Sequence, residues 1–271
     1  MEPTGGAGHH GIFLHSHHRL HSSALVRLLQ HWMPVAPGRA RREVDVGEEI
    51  SQWLSTVDAV TLSRALRAME ESAPPASADG QWADVCDQLN ALVVAARADL
   101  AAVVQGRVAA GRLPRARADN TPLDPPDPVA DADFAPHSAR YLAAQKQIEA
   151  RLTALRAQVR SQLAVALPPL RPLAELDAVM EQVMAGREQR LWATLAGHLE
   201  RRMAWRRERH DHTLAAAGCA DDPVRWKQAG GWLHAFERDL QALLQAEIEV
   251  RLEPVLGLLE AAQSNDRKRS E

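Results

Sequence analysis

Six of the twelve histidines fall within residues 5–21, GGAGHHGIFLHSHHRLH, and imidazole is a common ligand for zinc and nickel. His17 and His21 are four residues apart and would share one helix face, with His10 and His15 free to complete a ligand set. A resident metal site usually adds a second shell and a mixed donor set, and neither a cysteine nor a carboxylate occurs in this tract. His10, His15, His17 and His21 are therefore the metal-ligand candidates, set against the plainer reading of a disordered tail over residues 1–21 that picks up metal adventitiously. The same stretch spells G-x-G-x-x-G at Gly6, Gly8 and Gly11, but that motif cradles a pyrophosphate only between a strand and a helix. No strand can precede residue 6, and the motif is rejected.

The second cluster is HLERRMAWRRERHDH, residues 198–212. Arg201, Arg202, Arg206, Arg207 and Arg209 surround Trp205, and a basic helix with an aromatic can neutralise phosphates and stack on bases. The same residues also suit a partner contact, an intramolecular contact, or the solvated face that a long helix needs. Glu200 and Glu208 dilute the charge, and cations complement a helix C-terminus. His210, His212 and Cys219 match no standard metal spacing. Glu48 and Glu49 beside Ser51 read as a helix start rather than an acid–base pair, and Asp58 reads as a solvated helix residue. The sequence has no phosphate loop, nucleophile elbow, H-E-x-x-H or C-x-x-C, so the expectation is a chain without enzymatic activity or cofactor.

These residues need elements to hold them, and the composition favours helices. Ala and Leu dominate, β-branched residues are sparse, and the basic residues are nearly all arginine, with lysine only at 146, 227 and 268. The formal charge of −3 gives no bulk drive toward nucleic acid or anionic lipid. Cys86 and Cys219 stand far apart and read as reduced thiols, and no apolar run is long enough for a signal core or a membrane span. The expected location is cytoplasmic.

The periodicity predicts an all-α chain. An N-terminal bundle over 22–111 comprises SSALVRLLQHWM capped by Ser22 or Ser23, a helix from VGEEISQWL to about Met69, and QWADVCDQLNALVVAARADLAAVV. Residues 112–136 carry six prolines and five aspartates and read as an extended acidic linker. A long-helix domain over 137–262 follows, an elongated hairpin resembling a coiled coil. One seam holds Tyr141, Ile148, Leu152, Leu155, Val159 and Ala166, and a second runs from Leu173 and Leu176 through Leu191, Leu195, Leu199 and Met203. PPLRP at 168–172 turns the chain, Asp222 and Pro223 restart it, and Pro254 is placed to kink the last helix. Residues 263–271 read as a disordered tail. The linker aspartates, opposite in sign to the arginines at 201–209, are expected to shield them. Trp53, Trp192 and Trp232 occupy core-like helix positions.

The segments SSALVRLL, ISQWLSTVDAVTLSRAL, LDAVMEQVMAGREQRLWATLAGHLERRM and FERDLQALLQAEIEVRLEPVLGLLEAA together resemble an uncharacterised proteobacterial family, domain of unknown function 3348, over about Ser22 to Ala262. The resemblance carries no catalytic residues, and it implies an accessory to an envelope-associated membrane complex. The reading is thus a helical scaffold or protein–protein interaction protein that pairs with a partner or a second copy through its long helices, without inserting into a membrane. The alternative is a nucleic-acid-binding module using the helix at 201–209.

Overall fold

The computed structural model describes residues 23–32, 56–71, 82–107 and 130–270. The histidine tract and most of the acidic linker lie outside them. Six α-helices occur among the described residues: α1 (Ala24–Trp32), α2 (Thr56–Glu71), α3 (Trp82–Val104), α4 (Phe134–Ala166), α5 (Arg171–Ala217) and α6 (Trp232–Ser270). Short 3-10 turns cover Ala130–Ala132, Pro168–Leu170 and Pro223–Arg225, and no strand is present among the described residues. The fold is all-α.

Local chemistry sets the ends of these helices. The Ser23 hydroxyl accepts the Val26 amide at 3.2 Å, satisfying a donor that the first turn of α1 cannot. The prolines of PPLRP are tolerated because the donors they remove belong to first turns: Pro168 opens the 3-10 turn and Pro172 lies in the opening turn of α5. At 47 residues α5 is about 70 Å long. It ends at Gly218, whose φ of 62° suits a residue without a Cβ, with Cys219 N bonded to Leu214 O at 3.1 Å and Gly218 N to Ala215 O at 3.3 Å. Asp222 caps the next turn through Val224 N at 3.1 Å. Helix α6 continues through Pro254.

Helices α3, α4 and α6 pack on one another, α5 packs on α4 and α6, α2 lies on α5 and α1 on α6. Contacts advance together along α4 and α6, from His137–Glu237 to Tyr141–Glu247, so these two helices run the same way. Helix α5 returns between them, as the Gln145–Trp192 and Arg156–Asp177 bonds show. Helix α3 opposes α6, with Asn90 meeting Gln263.

One core runs through this arrangement. Leu89, Leu100, Tyr141, Ile148, Leu163, Leu199, Leu233, Phe236 and Leu244 are among its most buried members. Each such apolar side chain contributes about 1.5–3 kcal/mol of transfer free energy.

Four expectations are corrected. Among the described residues helix α3 packs on α4 and α6 rather than closing a bundle with α1 and α2: its buried face, from Trp82 to Val103, joins their core. Its apolar stripe is wide enough to need two neighbours, and these come from beyond the linker. The start of α4 takes in Phe134 and Pro136, which the sequence places in the linker, because proline is compatible with a first helical turn. Gln263–Ser270 are helical rather than a disordered tail, since Ala262 is fully buried and Gln263 is bonded to α3. Leu191, placed in the second seam, is 57% exposed; the face of α5 that meets the core there carries Trp192 and Leu195 instead.

Candidate functional site

The arginine-rich part of α5 lies beside the first third of α6. Arg202 is only 7% exposed, and its Nε donates to Asp239 Oδ2 at 2.8 Å. Arg206 makes a two-pronged contact with the same carboxylate, at 2.7 and 3.0 Å. Burial works against the charge of Asp239, yet the hydrogen bonds from Arg206 and Arg202 hold its pKa below the ordinary aspartate value. Two of the five arginines are thus committed to holding α5 on α6.

The remaining residues of the cluster face outward. Trp205 is 40% exposed, and the guanidinium carbons of Arg202, Arg206 and Arg209 stand 4.4, 5.4 and 5.4 Å from its ring centroid. Arg202 also lies 5.3 Å from the Trp32 ring, so α1 abuts this region. Arg201 is exposed and bonded to His198 Nδ1 at 3.1 Å, while Arg207 and Arg209 are exposed. An aromatic and arginines presented together are the residue types that dominate protein interfaces. Expected shielding by the linker is not what its described part does: Asp131 pairs with Lys227, and Asp133 is exposed. Asp119, Asp124 and Asp127 lie outside the described residues.

The other singled-out residues are dispersed. His10, His15, His17 and His21 lie outside the described residues. His210 bonds Asp221 at 2.9 Å, which also accepts the Trp226 indole N–H at 2.9 Å. His212 is exposed near Glu208, and the exposed Cys219 thiol faces Ala217 O. Among the described residues no group of three His, Cys, Asp or Glu side chains is arranged to hold a metal ion. Trp232 is buried and Trp192 half-buried against the core, as their helix positions imply.

Sequence reasoning missed a polar network at the centre of the bundle. Glu247 of α6 is fully buried. Its Oε2 accepts the Tyr141 hydroxyl at 3.0 Å, and its Oε1 accepts Gln145 Nε2 at 3.1 Å and Arg251 at 2.6 Å. Gln145 Nε2 also reaches Trp192 O at 3.3 Å, and the Arg251 guanidinium lies 4.4 Å from the Trp192 ring centroid. Burial raises the Glu247 pKa despite Arg251, and burial together with Glu247 pushes Tyr141 well above the ordinary phenol range. The signal was present: Glu247 follows Leu243 and Leu244 by four and three residues, on the same apolar stripe of α6.

Beside this network a cavity of about 590 Å³ opens between α4, α5 and α6. Leu142, Leu152, Ala185, Trp192, Val250 and Pro254 supply apolar lining, and Glu149 and Glu188 stand on its α4 and α5 walls. An ion-pair cluster closes one end, where Arg156 binds Asp177 at 2.7 and 2.8 Å and Arg160 binds Glu181 at 2.7 Å.

A third cluster pins the start of α4. His137 is buried, with Nδ1 at 3.1 Å from Glu237 Oε1 and Nε2 at 2.9 Å from the carbonyl of Asp131. Both neighbours are acceptors, so only the doubly protonated ring satisfies both. The hydrogen bond to Glu237 raises the His137 pKa, against burial. Arg140 pairs with the same carboxylate.

No described helix is long and apolar enough to cross a membrane. No curated protein and no solved structure matches the chain. Residues 14–264 match the family described as Protein of unknown function (DUF3348), a span that takes in all six helices up to Ser264 of α6, and the chain belongs to that family.

Proposed function

We propose that this chain is a non-enzymatic helical interaction protein whose contact surface is the Trp205 face of α5. The observation that carries the reading is an aromatic left 40% exposed while three guanidinium groups surround it. Covering the exposed two fifths of this side chain recovers a part of the roughly 1.5–3 kcal/mol that full burial of a large apolar side chain contributes. Arg201, Arg207 and Arg209 give the face a positive rim, suited to an acidic protein surface. The expected setting is the cytoplasm, beside an envelope-associated membrane complex.

The nucleic-acid reading loses ground on one point: Asp239 neutralises Arg202 and Arg206, leaving fewer cations to release counterions from phosphates. Affinity capture from the native host with wild-type protein and with Arg207→Glu/Arg209→Glu tests the proposal. A protein retained by the wild type and depleted about tenfold or more in the variant is the expected result. Equal recovery by both overturns it. Salt-sensitive binding of a DNA or RNA duplex that disappears in the variant, with no protein captured, would favour the alternative.

A further inference from the structure

We infer that the cavity between α4, α5 and α6 receives the Trp205 face of a second copy of this chain, so that the protein associates head to tail. The inference deepens the reading above and rests on the Trp205 face being a contact surface.

The cavity is a slot along α4, bounded at one end where Arg156 bridges α4 to Asp177 and crossed near the other where Gln145 reaches the Trp192 carbonyl. Its α4 wall runs from Leu142 to Arg156, about 21 Å. Its volume of about 590 Å³ falls within the range of sites that enclose an aromatic group and its flanking substituents. The lining is mixed: Leu142, 47% exposed at the rim, sits with Val250 and Pro254, while Glu149 and Glu188 face the opening from two helices. Neither carboxylate is salt-bridged among the described residues; Glu188 acts electrostatically on Arg156, which lines the cavity together with Arg251 but is paired with Asp177, as Arg251 is with Glu247. The slot thus offers an apolar bed with two exposed carboxylates, Glu149 and Glu188, at its edge.

The occupant it fits is an exposed aromatic flanked by cations. The same chain presents one: Trp205 with Arg207 and Arg209 beside it. A molecule cannot fill its own slot. Trp205 lies thirteen residues beyond Trp192 on the same continuous helix, about 20 Å along the axis and about 220° around it. The two surfaces face different ways about α5, so one neighbour cannot engage both at once; the contact is heterologous and repeats from copy to copy into a ring or an open chain, rather than closing as a two-fold dimer.

Analytical ultracentrifugation of the full chain, from micromolar to hundreds of micromolar, tests this with two variants and their mixture. Trp205→Ala removes the inserted group, and Glu149→Arg/Glu188→Arg reverses the slot. Wild-type protein is expected to show a mass that rises with concentration beyond that of a dimer, and each variant alone to associate at least tenfold more weakly. An equimolar mixture of the two should give a one-to-one dimer and nothing larger, because only one competent slot and one competent aromatic remain per pair. Arg207→Glu/Arg209→Glu, which leaves the Trp205 stack on Arg202 in place, substitutes for Trp205→Ala if circular dichroism shows that variant to be unfolded. A wild-type protein that stays monomeric, variants that assemble like the wild type, or a mixture that stays monomeric would each overturn the inference. A monomeric wild type that still captures another protein through the Trp205 face would sink self-association alone and leave the proposed function standing.

Discussion

His137 shows how a single side chain ties distant parts of the chain together. Its two ring nitrogens link the Asp131 carbonyl to Glu237 of α6, and the imidazolium is the form that satisfies both. The bond to Glu237 raises the His137 pKa above 6.5, so this contribution to stability is complete below about that value and is lost as pH rises through the raised folded-state pKa. For Glu237, burial is outweighed by His137 and Arg140 and the pKa falls below 4.5. Its contribution is complete above 4.5 and is lost as pH falls through the folded-state value. The clamp is therefore strongest in the mildly acidic window between the two. His137→Gln should lower stability by about 1.5–3 kcal/mol at pH 6 and by less at pH 9, read from urea midpoints. An equal loss at both pH values would show that the ring acts through packing on Phe236 alone.

At the scale of elements, the corner between α5 and α6 depends on residues that leave no room. A Cβ on Gly231 would stand 2.2 Å from the Trp226 carbonyl oxygen, which already accepts the His234 amide at 2.9 Å. Gly231→Ala must displace backbone, and should cost about 2–4 kcal/mol with a matching drop in melting temperature. Gly257 is the contrasting case. It lies inside α6, exposed, with nothing within 4 Å of the point where a methyl would stand, so Gly257→Ala should raise stability by about 0.5–1 kcal/mol through helix propensity. Calorimetry of both variants checks the pair, and a neutral Gly231→Ala would mean that the corner is far more pliant than its contacts imply. Part of the helix boundaries is legible in the sequence: Ser23, Asp222 and the prolines of PPLRP act within a few residues of themselves, so the sequence exposes their roles. The length of α6 was not legible, because a polar end such as Gln263–Ser270 becomes helical only with α3 and the 168–173 turn beside it.

For the whole molecule, the balance turns on a buried ion pair. Glu247 is 0% and Arg251 10% exposed, and their partners come from α4 and α5. Removing one member strands the other charge in the core. Glu247→Leu should cost about 3–5 kcal/mol, whereas Glu247→Leu/Arg251→Met should recover most of that loss, because the desolvation penalty of the pair disappears with it. A double-mutant cycle by chemical denaturation measures the coupling. If the double variant were no more stable than the single, the network would be holding the three helices in register by more than charge compensation.

The all-α class, the positions of α1 and α3–α5, and most of the apolar seams followed from the sequence alone, since helix periodicity, caps and proline placement act over one or two turns. Tertiary structure decided what faces what. Glu247 lies 102 residues from Gln145, and no local rule pairs them. Arg202 and Trp205 look alike as members of one basic run, yet Asp239 of α6 draws the first inward while the second stays exposed. Burial is a property of the assembled core, so helix pairing alone separates an arginine that holds the fold from one that can meet another molecule.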